Sequence, residues 1–279
     1  MISAATLSLY DICKKHSASE NRSFTVLFYT TLSSLAAVTL VLASRGELIS
    51  SLALKPAHIA LLVLKSLIVS ASWACAYWAL KTIPVTVMAP IRATGPMWTT
   101  LAAMAIFSEV PTVRQAFGFL LAFGGCIAFS VATRIEGFSL KSRPILLALG
   151  ATAFGSLSAL YDKCLLNSLA IPAKAVLLWF MMAMCLIYAI AMFSCAKVDK
   201  TKFEWRWTIP LVGILLAASD FCYFSALGDP EARISIISTI RRTSTVGTFI
   251  LGGAMFREKN LLRKGLALAA ILAGVLLIL

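Results

Sequence analysis

The sequence predicts an all-α integral membrane protein: ten transmembrane helices, formed from two inverted five-helix repeats. Three observations lead there. Apolar runs of about 20 residues recur along the chain, each long enough to cross a bilayer as a helix. The short segments between the runs hold most of the charge. Four short motifs recur in the same order in the two halves of the chain.

The apolar excess comes first. Hydrophobic residues make up 60% of the 279 positions and charged ones only 13%, and the mean hydropathy is +0.90. A soluble domain of this length needs more polar surface than that. A β-barrel would alternate apolar and polar residues in shorter strands, and runs such as 261–279 do not alternate. The net charge of +13 would suggest nucleic acid in a soluble protein. Here most Lys and Arg lie in short loops, so contact with anionic lipid headgroups and control of topology explain them, and no nucleic-acid partner is expected. Seven cysteines lie in or beside apolar runs without a CxxC pair, and His16 and His58 are far apart in sequence. No metal or cofactor is expected. The first residues lack a basic region ahead of their apolar run, so no cleaved signal peptide is expected.

The expected spans are 1–13, 24–43, 57–80, 84–107 and 113–133, then 144–168, 172–194, 207–227, 233–256 and 261–279. Loops such as KKHSASENR (14–22) and FREKNLLRK (256–264) are short and charged. No linker is long enough to separate soluble domains.

The repeat is the strongest organisational signal. Leu9–Cys13 (LYDIC) matches Leu160–Cys164 (LYDKC). Ala71-Ser72 and Cys75 match Ala218-Ser219 and Cys222. Ile91-Arg92 matches Ile240-Arg241, and Phe107-x-Glu109 matches Phe256-x-Glu258. The offsets are 147 to 151 residues. The first repeat is therefore 1–133, with a short first helix, and the second is 144–279. Five spans per repeat, an odd number, force the halves into opposite orientations. By comparison with the span before Asp162, the one before Asp11 is short, so either the first helix is half-length or the natural start lies upstream, and the second is preferred. Loops after odd-numbered spans carry far more Lys and Arg than the others, which by charge alone puts both termini outside.

The duplicated motifs resemble the drug/metabolite transporter superfamily and its EamA-type domains. Phe107–Gly125 resembles the end of span four, the acidic loop and span five of that family, and Phe256–Ile278 resembles the same region of a second domain. The resemblance implies ten helices, transport of small metabolites across the inner membrane, and cytoplasmic termini, against the loop charges.

Four basic residues fall inside spans: Lys65, Arg92, Arg241 and Arg242. A lipid-facing charge at mid-bilayer costs at least about 2.5–3.5 kcal/mol, so they should face a cavity or a partner. Met88, Arg92, Gly95, Pro96 and Thr99 share one helical face, and Ser238, Arg241, Thr245 and Thr248 form its counterpart. Arginine offers a planar fork suited to carboxylate or phosphate. The functional reading is an anion-binding centre at Arg92 and Arg241; the plainer one is pairing with Asp220 or free carbonyls. Lys65, near the start of its span, either snorkels or joins the site. Asp220 is deep and either pairs with an arginine or couples protons. Trp73 occupies in the first repeat the place of Asp220 in the second, and is expected to line the same cavity. The repeated Tyr10-Asp11 and Tyr161-Asp162 suggest a gate or a helix-end hydrogen bond. Glu109 and Glu258 read as acids at helix N-termini, complementing the dipole.

The expected function is a secondary transporter that moves an anionic or zwitterionic metabolite, such as an amino acid or organic acid, by alternating access. Its substrate-binding residues would be Arg92, Arg241, Asp220, Lys65, Trp73, Thr99 and Thr245. Protons or a counter-substrate would supply energy, and no Walker motif for direct ATP use is present. A lipid-headgroup flippase or drug exporter of the same superfamily is the alternative, followed by a channel or regulatory subunit. No HExxH or GxSxG cluster supports an intramembrane enzyme. The oligomeric state stays open.

Overall fold

A computed structural model describes residues 2–107, 111–134, 142–194, 202–227 and 243–278, and no strand occurs among them. The helices are α1 (Ile2–Ala18), α2 (Ser23–Ser44), α3 (Leu48–Leu52), α4 (Pro56–Thr82), α5 (Val85–Ala93), α6 (Gly95–Phe107), α7 (Val113–Arg134), α8 (Arg143–Lys163), α9 (Ala173–Ser194), α10 (Thr208–Leu227), α11 (Ser244–Met255) and α12 (Leu261–Ile278). α2, α4, α7, α8, α9 and α12 are each long and apolar enough to cross a membrane, and Thr208–Cys222 and Ser244–Met255 are shorter apolar helices.

Two differences from the expected spans have physical causes. α1 does not stop at Cys13 before the charged Lys14-Lys15 pair. It continues to Ala18 because both lysines find partners inside the protein. The expected span 84–107 is two helices joined at Thr94. Pro96 has no N–H to offer the Arg92 carbonyl. Instead the Thr94 N–H closes a tighter turn onto the Ile91 carbonyl at 3.2 Å, and the Thr94 carbonyl accepts from Met97 and Trp98. Beyond Lys163, the last residue of α8, the chain makes a π-helical turn, Cys164–Ser168. Of the expected ninth span only the part from Thr243 onward lies within the described residues.

The helices of the two sequence halves interleave. α1 packs against α10 and α11, α2 against α9 and α10, α4 against α8 and α9, and α5 against α11 and α12. The tightest pair is α7 with α12. A Cβ on Gly274 would lie 2.5 Å from the Ala122 nitrogen and 2.6 Å from the Gly118 carbonyl oxygen, so only glycine allows this approach. Apolar clusters result, two of them large. One gathers Leu80, Val87, Phe129, Ile145 and Ile271; the other gathers Leu27, Tyr77, Leu178, Met184 and Ile209. Leu40, Phe117, Leu120, Ile127, Leu186, Ile190, Phe193 and Leu266 point outward, as lipid-facing positions require.

Candidate functional site

The polar centre lies between the two clusters. A cavity of about 400 Å³ is lined by Tyr10, Asp11, Lys65, Trp73, Arg92, Asp162, Asp220 and Thr245, among others. Eight residues from the two halves, selected by sequence as intramembrane charges and repeated motifs, therefore share one wall. Arg92 leaves the last turn of α5, where the helix break frees backbone and space. Its Nη1 donates to Asp11 Oδ1 at 2.5 Å, and the Thr248 hydroxyl donates to Asp11 Oδ2 at 3.1 Å. Lys65 is buried, pairs with Asp162, and lies 4.7 Å from the Phe180 ring centroid. Burial of each cation is thus offset by a carboxylate, as it must be away from water.

The sequence left Arg92 either to bind an anion or to pair with Asp220 or free carbonyls, and its observed partner is Asp11. Asp11 and Asp162 were read as gate or helix-end groups on spans ending close by. The extension of α1 to Ala18 puts Asp11 well inside its helix, facing the cavity. Tyr10 lines the cavity, while Tyr161 packs against the Leu62, Leu165 and Val176 cluster on its flank. Thr99 lines an adjoining chamber of about 250 Å³ that shares Tyr10, Trp73 and Arg92 with the main cavity. Arg241, Arg242 and Glu109 lie outside the described residues.

One residue that sequence reasoning missed is Lys14. It looked like a loop charge after a finished helix, yet it is buried and lines the chamber. Thr248 was noted only as part of a face. Its signal was the repeat itself, since it stands at the offset of Thr99.

Among the described residues, the end where α1 finishes is tied together by side-chain hydrogen bonds. Lys15 donates to the carbonyls of Leu80 and Ile83. Arg206 donates to the carbonyls of His16 and Ser19, and Asn21 exchanges hydrogen bonds with the backbone of Glu204. Tyr29, Phe203, Trp205 and Trp207 form an aromatic cluster there. Beside Arg92, a separate void of about 10 Å³ lined by Leu80, Val85 and Thr248 has room for no more than one water.

Glu258 adds a further tie, and it caps a helix other than its neighbour. Its carboxylate accepts from the N–H of Val85 at 2.8 Å and of Thr86 at 2.9 Å, the first amides of α5, and from the Thr86 hydroxyl. Fully buried Lys264 donates to the Thr86 hydroxyl at 3.0 Å. An anionic cap at a helix N-terminus satisfies orphan donors and complements the dipole. Glu258→Gln keeps one acceptor oxygen and loses the charge. It should lower stability by about 0.5–2 kcal/mol, the usual worth of a cap, read as a lower unfolding temperature of the purified protein. An unchanged transition would show that the cap contributes nothing.

Comparison with known proteins bears on this arrangement. Residues 1–131 match the EamA-like transporter family. This part of the chain is similar to an EamA-like transporter domain. A protein of known crystal structure shares the fold of nearly the whole chain, with a TM-score of 0.65 and 16% identity over 99% of this chain and 94% of that one. No curated protein matches the sequence. The matched part supplies Asp11, Lys14, Lys65, Trp73 and Arg92; Asp162, Asp220, Thr245 and Thr248 come from beyond it. The protein is thus a multi-pass membrane protein, and its polar cavity is built jointly by the region similar to the EamA family and the remainder.

Proposed function

We propose that the protein is a secondary transporter that carries a small zwitterionic or anionic metabolite, an amino acid or organic acid, across the inner membrane. The observation that carries this reading is the main cavity. It holds two cations and three carboxylates inside an apolar helical bundle, at a volume of about 400 Å³ that suits a small metabolite. Charges in such a place are costly and serve a pathway or a bound solute. Arg92 and Lys65 receive the anionic group; Asp220, Asp11 and Asp162 receive an ammonium. Trp73, Thr99 and Thr245 shape the walls, Tyr10 and Tyr161 flank the aspartates, and Arg241 is the expected second guanidinium.

The mechanism we favour is alternating access by two inverted five-helix repeats, 1–133 and 144–279, which together supply ten spans. The duplicated motifs support the repeats, and the tied end with its void of only about 10 Å³ supports one closed side. The incoming solute loosens the Arg92–Asp11 and Lys65–Asp162 pairs by offering its own charges. Exchange against a counter-substrate or protons supplies the driving force.

The test is uptake and counterflow in proteoliposomes, with amino acids, organic acids, nucleosides and sugar phosphates as solutes. Saturable exchange of an acid or zwitterion is the expected outcome. Movement of labelled lipid headgroups with no solute flux would replace this reading with the flippase one, and exchange restricted to organic cations would replace it with a drug exporter.

A further inference from the structure

The main cavity and its adjoining chamber differ in charge. The main cavity is lined by Asp11, Asp162 and Asp220 against Lys65 and Arg92. The chamber of about 250 Å³ behind Arg92 is lined by two charged residues, Lys14 and Arg92, both cationic. Its other polar walls are the hydroxyls of Tyr10, Ser72, Thr99, Thr152 and Ser156.

Lys14 is held there in an unusual way. It is 3% exposed, and its ammonium lies 4.8 Å from the Tyr77 ring centroid, 5.3 Å from Tyr10 and 5.7 Å from Trp73. Three aromatic faces stabilise a desolvated cation without neutralising it. An ammonium carries three N–H donors. Among the described residues Lys14 has one hydrogen-bond acceptor, the Tyr10 hydroxyl at 3.3 Å, and no carboxylate pairs with it. Lys65 and Arg92 each have an aspartate; Lys14 has none. Buried donors without acceptors are costly, and a group with two oxygens would satisfy both remaining N–H donors at once.

We propose that this chamber is an oxyanion subsite, in which Lys14 and Arg92 bind the carboxylate or phosphate group of the transported solute. The inference rests on the transporter reading and deepens it by orienting the solute. The anionic end enters behind Arg92, and the remainder faces the aspartates of the main cavity through the shared wall of Tyr10, Trp73 and Arg92. The Thr99, Thr152 and Ser156 hydroxyls donate to carbonyls of neighbouring helix turns and need only rotate to meet an incoming oxygen. With two cations and no carboxylate on its lining, the chamber also disfavours an ammonium, which gives it its selectivity.

The test uses purified full-length protein in nanodiscs, titrated with acetate, succinate and inorganic phosphate at constant ionic strength, with thermal unfolding as readout. A bound ligand raises the transition in a saturable way. Stabilisation by acetate and succinate alone identifies a carboxylate site, and by phosphate alone a phosphate site. Lys14→Met should weaken the apparent affinity at least about tenfold. Lys14→Arg, which keeps the charge, should retain most of it. Lys174→Met, which removes an exposed cation that pairs with Glu47, should leave it unchanged. Wild-type affinity in Lys14→Met, equal losses in Lys14→Met and Lys174→Met, or no response of the wild type to any of the three anions would overturn the proposal. Should Lys14→Met not fold, wild-type crystals soaked in selenate give the same decision: an anomalous peak between Lys14 and Arg92 supports the subsite, and its absence there rejects it. Oxyanion binding that depends on Lys14, without flux of any solute, would sink the transporter reading and leave the subsite standing. Solute exchange that Lys14→Met leaves unaltered would do the reverse.

Discussion

Arg92→Ala should lower the apparent affinity for an acidic solute by at least about thirtyfold while the protein still folds and inserts. The figure is the low end of the range for truncating one partner of a buried, hydrogen-bonded charge pair, about 2–5 kcal/mol. The low end applies because the Arg92 side chain is 39% exposed to the cavity, whereas that of Asp11 is 11% exposed. Folding should survive because Asp11 keeps the Thr248 hydroxyl as a donor and cavity water reaches the vacated space. Arg92→Lys should fall between the two. A lysine restores a point charge beside Asp11 but not the planar fork that engages two oxygens together. Counterflow in proteoliposomes measures the effect, with size-exclusion behaviour as the check on folding. Wild-type exchange by Arg92→Ala would remove this residue from the binding site and with it the main support for an anionic substrate.

Gly274→Ala should destabilise the protein by about 1–3 kcal/mol, the usual cost of overpacking. The added methyl would sit 2.5 Å from the Ala122 nitrogen and 2.6 Å from the Gly118 carbonyl oxygen. Both obstacles are backbone, so no side chain can turn aside, and α7 and α12 must separate. Gly118 faces the same contact from the other helix, with the Gly274 carbonyl oxygen 2.7 Å from its ideal Cβ. Gly150→Ala is the informative control. A Cβ there meets nothing within 4 Å, and alanine is the better helix former, so its transition should stay level or rise. Thermal unfolding of the two variants side by side measures the difference. Equal transitions would show that the α7–α12 approach is not a close-packed one.

Much of this was legible in advance, and unevenly. The long apolar helices were readable because a bilayer leaves the backbone few alternatives. Lys65, Arg92, Asp220 and Trp73 were readable as cavity residues because a charge in an apolar span, or its repeat partner, has few places to go. The partners were not readable. Whether Arg92 meets Asp220 or Asp11 depends on how far α1 continues, and that depends on Lys14 and Lys15 finding aromatic rings and carbonyls from α4. In sequence those two lysines look like any solvated pair at a helix end. Glu258 shows the same limit. An acid beside a helix start suggested a cap, but the capped helix is remote in sequence and close in space. The helix break at Thr94 had a visible cause in Pro96, yet proline also occurs in unbroken membrane helices, so the residue type alone did not decide it.

The cap on α5 has a consequence for biosynthesis. The amides of Val85 and the carboxylate of Glu258 are separated by 173 positions. While the chain is being made, the helix that carries Arg92 must wait in the bilayer with its first donors unmet until the segment between α11 and α12 emerges. A nascent chain stopped short of Glu258 would expose those polar groups to lipid, where each costs several kcal/mol. Such chains should be recognised as unfinished and removed, so that only a fully synthesised polypeptide presents its arginine to the cavity.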